Sequence, residues 1–343
     1  MSAEAFASTE TVLSRQQRTG LRVALAVATG LTFGVATGAV IPFMAPLFAI
    51  QFLIFGAGPL PMPKAVGQVV LVLVVGQVFI VLTGIFGDRP IQLLTLLGLF
   101  YFVCFFVQAR GPGSPAVFLC LVVAVSVPLL DRVHAKLDSS IISILLQGVV
   151  GGVVLSWFSH AVLPSHGVVD DKRQAAAAAA RPAMRALANA AILLGAVTLC
   201  LTNSAFSLAL VLPITVASLL LQLDLTTTAR SALGVVAVNL LGGVLASLAF
   251  AFVELRPSLP FLFLTVFLVG LILGGRAAAA AGLSAMYAGV LTTFLILFGT
   301  GISPLPATTP ESFSTRIGYV LLAVAYAMCM TLLLWPRDRT RLS

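Results

Sequence analysis

Long apolar runs alternate along this chain with short interruptions of proline, glycine or charge. Twelve runs can be marked, at roughly residues 20–39, 41–57, 65–86, 91–108, 115–130, 140–163, 183–201, 204–222, 230–253, 258–275, 279–300 and 315–335. A helix needs about 20 apolar residues to cross a bilayer core about 30 Å thick. The pattern therefore predicts twelve transmembrane helices. The breaks are rich in helix-ending chemistry, as in "GAGPLPMPK" (56–64), "ARGPGSP" (109–115) and "TGISPLPATTPES" (300–312).

Composition sharpens this picture. Of 343 residues, 60% are hydrophobic and 9% are charged, against about 25% charged in a soluble domain. No soluble core of this length hides so much apolar surface, so the fold class expected is an all-α integral membrane protein in the lipid bilayer. The first 20 residues are polar and carry Arg15 and Arg18. The run that follows outlasts a signal-peptide core, and the N-terminus is expected to remain uncleaved. The net charge of +8 is not arranged as a basic cluster with interleaved aromatics, so no nucleic-acid partner is expected.

The basic residues orient the chain. With the N-terminus in the cytoplasm, the cytoplasmic side collects Arg15, Arg18, Arg22, Lys64, Arg110, Lys172, Arg173, Arg181, Arg185, Arg230, Arg276, Arg337, Arg339 and Arg341. Only Arg89, Arg132, Lys136, Arg256 and Arg316 fall on the other side. The positive-inside rule then predicts both termini in the cytoplasm.

A repeat is written in the same residues. "GDRP" (87–90) and "ELRP" (254–257) place Arg89-Pro90 and Arg256-Pro257 at a spacing of 167. The same offset pairs Arg18 with Arg185, Pro46 with Pro213, Gly67 with Gly234, Gly76 with Gly243 and Phe100 with Phe267. Two six-helix copies follow, residues 18–164 and 185–336. Between them lies a cytoplasmic linker (165–184), and outside them tails at 1–17 and 337–343. Six is an even number, so the copies are parallel, with a pseudo-two-fold axis along the membrane normal, and a substrate path is expected at their interface.

Three features carry a resemblance to a known family. They are the proline-bearing second helix ("PFMAPLFAIQFLIFG", 42–56), a basic residue opening a Gly-spaced third helix ("KAVGQVVLVLVVGQ", 64–77; "RSALGVVAVNLLGG", 230–243), and a sixth helix ending in "LLLWPRDR" (332–339). Together they resemble the fusaric acid resistance and aromatic acid exporter family, in its short, linker-poor bacterial branch of the domain of unknown function 2955 type. The resemblance implies an inner-membrane exporter of aromatic and other weak organic acids that works with a periplasmic membrane-fusion adaptor protein. Larger members carry soluble cytoplasmic domains that this chain lacks.

Candidate chemistry is sparse. There is no hydrolase elbow, phosphate-binding loop or HExxH, and His134, His160 and His166 are scattered. No enzyme activity, metal or cofactor is expected. Cys104, Cys120, Cys200 and Cys329 sit singly in apolar runs, as hydrophobes rather than disulfide partners. Pro46 and Pro213 are expected to break helices 2 and 8 at mid-membrane, freeing polar backbone beside a substrate path. Gln51, Gln77, Ser218, Asn239, Tyr287 and Thr292 are expected to add uncharged polar contacts, with Ser126 in reserve. Arg89 and Arg256 are expected as hairpin anchors or a cationic exit. The glycine series 30/34/38, 148/152 and 270/274 predicts close helix packing. Rival readings are a channel-like anion conductor, a major-facilitator-type carrier, a lipid-modifying enzyme and a scaffold subunit. The carrier reading lacks the charged signature after helix 2, and the enzyme reading lacks a cluster of acids and histidines.

Overall fold

A computed structural model describes residues 3–54, 58–110, 115–133, 138–164, 182–202, 211–224, 229–279, 284–303 and 313–334. Among these residues the chain is all-helical. The helices are α1 (Ala3–Ala36), α2 (Met44–Ile54), α3 (Met62–Phe86), α4 (Pro90–Arg110), α5 (Pro115–Val133), α6 (Asp138–Val162), α7 (Pro182–Thr202), α8 (Val211–Asp224), α9 (Ala229–Leu255), α10 (Leu259–Ala279), α11 (Ser284–Gly301) and α12 (Phe313–Leu334). Proline opens α4. At the first helical position its fixed φ is already helical and its missing N–H costs nothing.

Among the described residues, six helices are long and apolar enough to cross a membrane: residues Gln17–Ala36 of α1, then α3, α4, Ile142–Val162 of α6, α7, and Leu259–Ala278 of α10. The shorter apolar stretches Met44–Ile54, Pro115–Leu130, Leu212–Leu221, Leu240–Leu255 and Met286–Gly301 accompany them. α3, α4, α9 and α10 turn large apolar side chains outward, among them Val74, Ile85, Leu99, Leu248 and Leu264. Outward apolar faces of this kind suit lipid, where exposure carries no hydrophobic penalty.

The centre is made by four helices. Residues 121–130 of α5, 212–221 of α8 and 288–299 of α11 are buried without interruption, and in α2 every residue from Pro46 to Leu53 is buried. Such helices are apolar on all faces because every face meets protein. Around them the pairings recur. α1 packs on α10 and α4 on α7; α2 packs on α6 and α8 on α12; α3 packs on α5 and α9 on α11.

Glycine permits the closest of these crossings. Gly270 and Gly274 of α10 lie against Ala24 and Val23 of α1, and Gly148 and Gly152 of α6 lie against Met44 and Phe48 of α2. Gly30 and Gly34 pack on Pro46 and Pro42. Gly38 breaks the expected series: its φ is +68° and nothing approaches it. It serves the turn after α1, a backbone conformation that glycine adopts without strain.

Candidate functional site

α2 and α8 were each expected to carry a mid-helix proline. Pro46 is instead the third residue of α2, just after the turn at 41–43, while the residues before Val211 that would place Pro213 within its helix lie outside the described residues. A proline in the first turn removes no intrahelical hydrogen bond, because those N–H groups have no partner within the helix. Pro46 therefore neither kinks α2 nor frees a helical carbonyl, which corrects the sequence reading for that proline. The N–H of Leu47, one residue after Pro46, is satisfied by the carbonyl of Phe43 at 3.0 Å.

Both helices reach the centre. α2 and α8 each pack on α5 and on α11, and it is through these two that they are joined. The quartet brings together Gln51 of α2, Ser126 of α5, Thr215 and Ser218 of α8, and Thr292 and Thr293 of α11, all buried. Ser218 Oγ donates to the carbonyl of Thr215 at 2.9 Å. Ser126 Oγ and Thr215 Oγ1 are buried without a hydrogen-bond partner among the described residues. Helical hydroxyls usually bond back to the carbonyl one turn earlier, as Thr83 does to Phe79. These two are exceptions, and a buried unpaired hydroxyl costs about 1–3 kcal/mol.

No residue of Met44–Ile54, 115–130, 211–223 or Ser284–Gly301 is ionisable apart from Cys120 and Tyr287. Tyr287 is half-buried near the start of α11. These stretches are therefore polar without carrying charge, and the charges of α5 and α8 stand at their ends, at Asp131, Arg132 and Asp224.

Other expected positions lie elsewhere. Gln77 is exposed on the outward side of α3 between Val74 and Val78, which are exposed as well. It therefore faces away from the central quartet. α3 turns Val72, Val75, Gly76 and Phe79 inward, and Gln77 follows Gly76 by a rotation of about 100°. The side chain of Asn239 and all of Asn203 lie outside the described residues. Arg89 and Arg256 are exposed, each at the turn between two outer helices. Their turns are alike: the N–H of Arg89 donates to the Phe86 carbonyl at 2.9 Å, and that of Arg256 to the Val253 carbonyl at 3.2 Å.

Sequence reasoning passed over two groups. Thr215 lies one turn before Ser218 and was hidden by its neighbour. Arg22, only 7% exposed, was counted among the surface charges because it stands at the edge of an apolar run. A charge inside the span rather than before it was the available signal. Against family models, curated proteins and solved structures, the chain matches none.

Proposed function

We propose that this protein exports small organic acids or amphipathic aromatic compounds across a bacterial inner membrane, as twelve spans in two parallel six-helix repeats. The observation that carries the reading is the central quartet, with buried, uncharged polar groups and two hydroxyls without a partner among the described residues. Buried hydroxyls left over after folding suit a passing polar group better than they suit stability. A fixed cation at this depth would cost about 2.5–3.5 kcal/mol on insertion scales, and it would also hold an anion against release.

The repeat reading is supported by the recurring pairings α1/α10 and α4/α7, and by the like turns at Arg89 and Arg256. Exit by the Arg89 and Arg256 turns would place a periplasmic adaptor protein there. Its test is full export in cells deleted for every such adaptor, which would remove it from the scheme.

One observation favours channel-like conduction as the second reading. The buried stretches of the quartet, 46–53, 121–130, 212–221 and 288–299, hold no carboxylate or histidine to carry a coupled proton. The deciding experiment uses proteoliposomes loaded with benzoate. Efflux that Gln51→Leu and Ser218→Leu both lower, at unchanged expression and insertion, supports the path. Wild-type efflux from both variants moves the path away from the quartet. Efflux that persists after the pH gradient is abolished selects the channel over the proton-coupled exporter.

A further inference from the structure

Arg22 stands on α1 inside the membrane-spanning stretch Gln17–Ala36 and is 7% exposed. Its Nε donates to the carbonyl of Leu163, just beyond the end of α6, at 2.6 Å. That bond accounts for one edge of the guanidinium. Nη2 is buried and has no hydrogen-bond partner among the described residues. A carbonyl at a helix end offers only partial negative charge, so the cation is held without being neutralised. Arg18, one turn earlier on α1, and His160, at the end of α6, lie within electrostatic range. His160 Nδ1 is engaged by the carbonyl of Ser156 at 2.8 Å. Arg18 thus adds positive charge near the unpaired Nη2.

A guanidinium with Nε engaged keeps the two-nitrogen end of its fork for a planar oxyanion. The place 167 residues on, in α7, holds Asn189, wholly buried and uncharged. The second half therefore carries no charge at that place.

We propose that Arg22 binds the carboxylate of the transported acid at the α1–α6 end of the protein, before it enters the quartet. The assignment rests on the export reading for the identity of the anion, and on the buried, unpaired Nη2 for the existence of the site. A lipid phosphate would satisfy the same nitrogen, and the test separates the two sources.

The test measures benzoate binding to the full chain in phosphatidylcholine nanodiscs, with neutral benzyl alcohol as control. Arg22→Gln is expected to weaken benzoate by about tenfold or more, the scale of one charge-assisted hydrogen bond, and to leave benzyl alcohol unchanged. Should Arg22→Gln fail to fold, Arg22→Lys keeps the charge without the fork and is expected to weaken benzoate by a smaller factor. Unchanged benzoate affinity in the folded variant overturns the proposal. So does a wild type that ignores benzoate but is thermally stabilised by phosphatidylglycerol only when Arg22 is present, which assigns the site to lipid. Arg22-dependent binding without benzoate flux leaves the site standing and removes the export reading. Flux with Arg22-independent binding does the reverse.

Discussion

Gly20 of α1 lies so close to Gly275 of α10 that a Cβ built on Gly20 would stand 2.6 Å from the Gly275 Cα, while a Cβ on Gly275 would meet nothing within 4 Å. One crossing therefore treats its two glycines differently. Gly20→Ala drives a methyl into backbone, which cannot rotate away, and is expected to destabilise by about 1–3 kcal/mol. Gly275→Ala is expected to be neutral or slightly stabilising, because alanine is the better helix former. Thermal unfolding of the two variants in the same detergent checks this; equal losses would mean that α1 and α10 cross elsewhere.

Thr215→Val is expected to move stability and function in opposite directions. The substitution keeps the shape of the side chain and deletes a buried hydroxyl without a partner, which is worth about 1 kcal/mol or more. A higher unfolding temperature with slower benzoate efflux is the expected pair of results. A lower unfolding temperature would mean that the hydroxyl is satisfied in the folded protein.

Gln77→Leu is expected to leave benzoate efflux at the wild-type rate. The side chain is exposed on α3 among valines, and the position 167 residues on is Val244, which is also exposed. Efflux assays on this variant beside Gln51→Leu separate the outward face from the centre. A loss as large as that of Gln51→Leu would return Gln77 to the path.

Single cysteines placed at Arg89 and Arg256 are expected to label from outside the cell, and those at Lys64 and Arg110 only after permeabilisation. Cys329, which is exposed, has to be replaced first. The reverse labelling pattern would invert the orientation drawn from the basic residues.

The expected runs and the observed helices agree closely for α3, α4, α6 and α10, because long apolar stretches between prolines, glycines and charges leave few other solutions. Agreement was weaker where the side chains carry no phase. When both lipid and protein are apolar, a helix such as α3 has no amphipathic stripe, and nothing in the sequence tells Gln77 from Gly76 as the inward residue. The mid-helix reading of Pro46 failed for a different reason. Pro46 lies well inside the run 41–57, but the apolar residues before Met44 form a turn rather than helix, and the same residues suit either. The central polar set was partly legible. Gln51, Ser218 and Thr292 stood out as polar residues in apolar runs, while Thr215 and Arg22 needed the neighbours that only folding supplies.

α2 has 11 residues, a length of about 16 Å at 1.5 Å per residue, roughly half the hydrocarbon core of a bilayer. Its entry is a turn at residues 37–43, held by Ser303 Oγ donating to the Val40 carbonyl at 2.6 Å. If water reaches both ends of so short a helix, the transmembrane voltage falls mostly across the quartet instead of over the full bilayer. Each monoanion leaving a cell that is 100 mV negative inside would then collect about 2.3 kcal/mol within that short distance. Outward movement of an acid would need no other driving force, and its rate would rise steeply with voltage.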